Sequence, residues 1–184
     1  MSSRELEKLG RDGDRVEKCE TISRNAERNA VLENIKGCIK NKDINKGSRI
    51  HAEIAKSGLL HDMNICLGNS LVNMYAKCGA FVKAHAVFDE LPVQDVVSWN
   101  ILIGEYAKYG HGKEALICYE EMRLNGICPT AVTFVFILKA CGIIRETCKG
   151  QEIHYEVVRL GLLKKNCIVG NALVGMYAKC GELA

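Results

Sequence analysis

Asn69-Ser70-Leu71-Val72-Asn73-Met74-Tyr75-Ala76-Lys77-Cys78-Gly79 returns 102 residues later as Asn171-Ala172-Leu173-Val174-Gly175-Met176-Tyr177-Ala178-Lys179-Cys180-Gly181. A looser copy, Asn100-Ile101-Leu102-Ile103-Gly104-Glu105-Tyr106-Ala107-Lys108-Tyr109-Gly110, stands 31 residues after the first. A second family of repeats interleaves with these. Lys36-Gly37-Cys38, Lys46-Gly47-Ser48-Arg49-Ile50-His51 and Ser57-Gly58-Leu59-Leu60 match Lys139-Ala140-Cys141, Lys149-Gly150-Gln151-Glu152-Ile153-His154 and Leu160-Gly161-Leu162-Leu163, at an offset of 103 for the histidines. Self-similarity at a fixed period of some 30–40 residues is the signature of a solenoid. The chain divides into a leader at 1–27, then units at 28–64, 65–95, 96–130, 131–166 and a partial one at 167–184.

Each unit reads as two helices. In the first unit they fall near 29–40 and 46–57, the second closed by Gly58. In the next, Leu71, Tyr75 and Cys78 share one helical face, Gly79 ends that helix, Phe81, Ala84, Phe88 and Leu91 line the second, and Pro92 stops it. Ala115, Tyr119 and Met122, then Phe134, Leu138 and Cys141, then Ile153, Val157 and Leu160 continue the pattern. No unit carries enough apolar surface to fold alone, so each is stabilised by its neighbours in a near one-dimensional stack. The expectation is an all-α solenoid of about nine helices.

Composition bounds the functions open to it. The chain is 48% hydrophobic and 26% charged, with only 2 prolines and 6% aromatics, which suits long helices and disfavours a β-sandwich. No apolar run reaches the ~18 residues of a membrane span. A formal charge of +3 permits nucleic-acid binding without demanding it. The 10 cysteines contain no C-x-x-C pair, and Cys38 recurs as Cys141 and Cys78 as Cys180. Cysteine at a fixed place in a repeat is most simply a small packing residue. His51 and His154 also occupy equivalent places, and are expected to pack or hydrogen-bond between hairpins. No short-spaced Cys/His cluster marks a zinc site, so no metal or cofactor is expected. Glu120-Glu121 reads as a solvated helix edge, and no phosphate-binding loop or nucleophile elbow occurs. The chain is not expected to be an enzyme.

The alternation of units resembles the pentatricopeptide repeat family of land plants, in its long–short–standard arrangement. The residues that carry the resemblance are Asn69 to Gly79 in the short unit, Asp95-Val96-Val97-Ser98-Trp99-Asn100 with Asn125-Gly126-Ile127-Cys128-Pro129 in the standard unit, and Thr133-Phe134, Leu138-Lys139-Ala140-Cys141 and Gly150-Gln151-Glu152-Ile153-His154 in the long unit. The resemblance covers roughly 28–184 and implies a right-handed superhelix of helix hairpins that binds single-stranded RNA, about one base per repeat. In that family the fifth and last residues of a unit read a base. Here they are Asn69 with Asp95, Asn100 with Thr130, and Asn171 with a residue beyond Ala184. Asn69 with Asp95 resembles a uridine-favouring combination, and Asn100 with Thr130 a pyrimidine-favouring one. An asparagine amide offers one acceptor and two donors to a base edge, and an aspartate can fix its orientation. The second residues, Cys66, Val97, Val132 and Ile168, are expected to flank the bases. Val135 with Asn166 and Leu32 with Asn64 give no readable base. The recurring asparagines have a plainer alternative as polar residues capping helix starts.

The family works mostly in mitochondria and plastids, in RNA editing, splicing or stability, sometimes with editing-complex proteins. Many members end in a zinc deaminase-like domain, whose combined H-x-E and C-x-x-C signature is absent here, since the chain has no C-x-x-C pair. The leader, with acids and bases mixed, does not look like an acid-poor transit peptide. The final helix lacks its partner, so the chain is expected to be incomplete. The competing expectation is a tetratricopeptide-like scaffold that binds peptides, although that array has a uniform period near 34.

Overall fold

The computed structural model describes residues 25–57, 65–165 and 167–182. The leader up to residue 24, the closing Gly58, and Asn64 and Asn166 lie outside the described residues. The described residues are helical throughout, with no strand. The helices are α1 (25–41), α2 (Ile44–Lys56), α3 (Ile65–Lys77), α4 (Phe81–Asp89), α5 (Val96–Lys108), α6 (Gly112–Leu124), α7 (Ala131–Ile144), α8 (Thr147–Arg159), α9 (Leu162–Lys165) and α10 (Cys167–Cys180). α9 is a single turn that the periodicity does not show. Among the described residues no helix is long and apolar enough to cross a membrane.

Successive helices pair as antiparallel hairpins, and the hairpins stack. α3, α5, α7 and α10 lie side by side as one layer. The second helices form the other layer, each also touching the first helix of the next unit. A continuous core runs through the stack, from Ile35 and Cys38 in α1 to Val169, Leu173 and Met176 in α10. Trp99 packs edge-on against Phe88, with ring centroids 4.6 Å apart, and joins two units.

Tight turns set the hairpin angle. Gly79, Gly110 and Gly181 follow first helices with φ of +78°, +89° and +83°, a region open to glycine without steric penalty. At the end of α7 the corresponding place is taken by Arg145 at φ +55°. Polar contacts then pin unit to unit. His51 Nδ1 lies 3.1 Å from the Tyr75 hydroxyl, His85 Nδ1 3.3 Å from that of Tyr106, and His154 Nδ1 3.0 Å from that of Tyr177. Burial, opposed by Glu90, holds the His51 pKa below its ordinary value. The α7 position matching these tyrosines is Cys141, fully buried among apolar groups, where burial pushes the thiol up to about 12. Tyr109 donates its hydroxyl to the Lys77 carbonyl at 2.7 Å, capping the end of α3 from the next hairpin.

Candidate nucleic-acid interface

The starts of α3, α5, α7 and α10 coincide with positions 65, 96, 131 and 167, so helix position and unit position are the same. The second and fifth residues of each first helix are three apart and share a face. Repetition of the hairpin therefore aligns Cys66, Val97, Val132 and Ile168 in one row, and Asn69, Asn100, Val135 and Asn171 in another. Cys66 is exposed, and Val97, Val132 and Ile168 keep 52%, 52% and 59% of their surface open. Branched apolar side chains left that open, one per unit in register, are not core residues.

The asparagine row differs from unit to unit. Asn69 is 8% exposed and sits a full turn into α3, so it is not the cap of that helix. The cap next door is Asp95, directly before α5. Its Oδ1 accepts from the backbone N–H of Val97 at 3.0 Å and of Ser98 at 2.8 Å, and from the Ser98 hydroxyl at 3.1 Å. The Asn69 amide nitrogen donates to the same oxygen at 3.5 Å, the outer limit of a hydrogen bond. Burial alone would raise the Asp95 pKa, but the donors from Ser98, Asn69 and Val97 together hold it below the usual aspartate value. The ionised carboxylate only accepts, so the amide must turn its nitrogen inward. Its carbonyl oxygen, Asn69 Oδ1, is then buried with no hydrogen-bond partner.

At the next junction Asn100 is half-buried, and its Oδ1 accepts from the Thr133 hydroxyl at 2.7 Å. Thr133 Oγ1 also accepts from the Thr130 backbone N–H at 3.0 Å and lies 3.2 Å from the Thr130 hydroxyl. Thr130 holds the position before α7, as Asp95 does before α5, but its bond there runs from its own backbone N–H to the Thr133 hydroxyl. Asn100 and Thr130 are thus joined through Thr133, a fully buried residue to which the sequence assigned no site role. Asn171 is exposed. With Ile168 it lines a groove of about 360 Å³ between α7 and α10, which Val135, Lys139 and Lys179 also border. Lys77, Lys108 and Lys179 recur in the last turns of α3, α5 and α10. They stand about 12 Å along the helix from the asparagines, at about 1.5 Å per residue.

Comparison with known proteins decides what kind of array this is. A PPR repeat family model matches residues 94–142 and a PPR repeat model matches residues 69–96. A pentatricopeptide repeat-containing protein of Arabidopsis thaliana is 40% identical over 149 residues, 81% of this chain and 21% of that protein.

The chain belongs to the pentatricopeptide repeat family.

Other Arabidopsis thaliana relatives agree. A putative pentatricopeptide repeat-containing protein named mitochondrial is 36% identical over 75% of this chain and 22% of its own length. One named chloroplastic is 32% identical over 80% of this chain and 24% of its own length. The crystal structure of the maize pentatricopeptide repeat protein PPR10 superposes with a TM-score of 0.67 at 27% identity, covering 83% of this chain and 22% of that one. The chain therefore spans about a fifth of the length of the relatives it matches.

Proposed function

We propose that this pentatricopeptide repeat chain is a segment of a sequence-specific, single-stranded RNA-binding array. It acts as a recognition factor, rather than a catalyst, in organellar RNA processing: editing, splicing or stability. On this reading the units run 28–64 (long), 65–95 (short), 96–130 (standard), 131–166 (long) and a partial short unit from 167. Asn69 with Asp95, Asn100 with Thr130, and Asn171 read bases, while Cys66, Val97, Val132 and Ile168 wedge between them. The protein works in a mitochondrion or plastid, where editing-complex proteins are further partners.

The observation that carries this is the buried, unsatisfied carbonyl of Asn69. Leaving a buried acceptor unmade costs about 1–3 kcal/mol, which a ligand donor would recover. Uridine offers such a donor at its N3–H. Reaching this oxygen requires the side chains around it to shift, because the amide is nearly enclosed. The open valines and isoleucine supply apolar faces for stacking, and the lysines charge for phosphates.

Fluorescence anisotropy of the chain with labelled RNAs tests the proposal. Single-stranded RNA should bind, weakly because few units read bases, with preference for uridine in the register of the 65–95 unit. Equal binding to duplex RNA, or no binding to any single strand, would refute it.

A further inference from the structure

Neighbouring second helices bring together three side chains of a different chemistry. His85 projects from α4, and Cys118 and Glu121 from α6. Their ligand atoms, a ring nitrogen, the sulfur and a carboxylate oxygen, all lie within 4.8 Å of one another. The His85 ring is already steadied by the Tyr106 hydroxyl, 3.3 Å from Nδ1. The Cys118 side chain is buried, 2% exposed, while Glu121 reaches in from solvent. His85 comes from one unit and Cys118 and Glu121 from the next, so the sequence does not show them meeting.

Nitrogen, sulfur and carboxylate oxygen are a ligand set for a borderline-soft divalent ion, not for calcium or magnesium. We propose that His85, Cys118 and Glu121 form a zinc-type metal site that ties α4 to α6. Bond lengths of about 2.0–2.3 Å place tetrahedral ligand atoms about 3.3–3.8 Å apart, so closure by about 1 Å is needed. The exposed Glu121 side chain can supply it. On binding, the Cys118 thiol loses its proton to solvent. Metal–nitrogen, metal–sulfur and metal–oxygen bonds form, water fills the fourth position, and no atom changes oxidation state.

The surroundings are prepared for a cation. Asp89 lies one turn from His85 on α4, and Glu114 one turn from Cys118 on α6. Their carboxylates add negative charge beside the three ligand groups. Occupancy would fix the angle between the 65–95 and 96–130 hairpins, independently of whether those units read RNA.

Cobalt(II) titration of the purified chain, followed by zinc displacement, tests the site. One equivalent of Co²⁺ should give a thiolate-to-cobalt absorption band that Zn²⁺ abolishes. Cys118→Ala should lose the band. Glu121→Gln and His85→Gln should weaken binding by about 10-fold or more, with far-ultraviolet circular dichroism unchanged for the exposed Glu121 variant. Absence of a one-equivalent band would overturn the proposal, as would a band that survives Cys118→Ala. So would unchanged affinity in both Glu121→Gln and His85→Gln, which would leave a lone thiol. Should Cys118→Ala fail to fold, the Glu121 and His85 variants decide alone.

Discussion

At the α3–α5 junction an asparagine amide meets a carboxylate; at the α5–α7 junction the equivalent amide meets a hydroxyl. A carboxylate accepts only, so Asn69 has one orientation and presents its carbonyl. A hydroxyl donates and accepts, so Asn100 can turn over and keep its contact with Thr133. The same residue at the same place in a repeat is therefore a fixed acceptor in one unit and an adaptable group in the next. Under the proposed function, a fixed acceptor would suit the N3–H of uridine, while an adaptable amide would discriminate less. Both partners also serve the fold, Asp95 by capping α5 with its side chain and Thr130 by the backbone N–H that Thr133 holds at the start of α7.

The largest stability effect is expected at the hydroxyl junction. Thr133→Val keeps the shape but strands the Thr130 N–H and removes the donor to Asn100, and should cost about 1–3 kcal/mol in urea unfolding. Asp95→Ala should come next, at about 1–2 kcal/mol, because it removes the α5 cap along with the amide's partner. Thr130→Ala should be smaller, within about 0.5 kcal/mol, since its backbone N–H still reaches Thr133 and its side chain is exposed. A cost for Thr130→Ala equal to that of Asp95→Ala would erase the contrast between the junctions.

Acid sharpens the comparison. The Asp95 pKa is lowered in the folded chain, so its stabilisation is complete above the ordinary aspartate value of 3.8 and is lost as pH falls through the lower folded value. Urea midpoints measured from pH 7 down to pH 3 should fall more for the natural chain than for Asp95→Asn. Parallel curves would mean that the carboxylate charge does not matter there.

Much of this architecture was legible in the sequence. The return of Asn-x-Leu-Val-x-Met-Tyr-Ala-Lys-Cys-Gly marks each first helix, and the apolar spacing of Phe81, Ala84 and Phe88 marks a second one. The expected helices at 29–40 and 46–57 are seen at 25–41 and 44–56. His51 and His154, expected to bond between hairpins, do so through Tyr75 and Tyr177. The positions of Asp95 and Thr130 at helix starts carry a sequence signal, a polar residue just before an apolar helix. Thr133 and the cluster of His85, Cys118 and Glu121 carried none, because they act across hairpins at separations set by the stack. The near-complete burial of Asn69 was also hidden. An expected groove residue is enclosed because α5 brings Asp95 against it.

The most direct test of the central claim is Asn69→Thr. The threonine removes an unsatisfied carbonyl but also the amide's hydrogen bond to Asp95, and these offset one another, so stability should change by less than about 0.5 kcal/mol, or about 2 °C in melting temperature. Thr with Asp resembles the family's guanosine-favouring combination. Binding should be measured against four RNAs differing at the base opposite the 65–95 unit, with that unit placed in a longer array of known register. The account predicts a move from uridine towards guanosine at that base alone, with neighbouring preferences unchanged. A uniform loss across all four RNAs, with a lowered melting temperature, would contradict it and make Asn69 a structural residue.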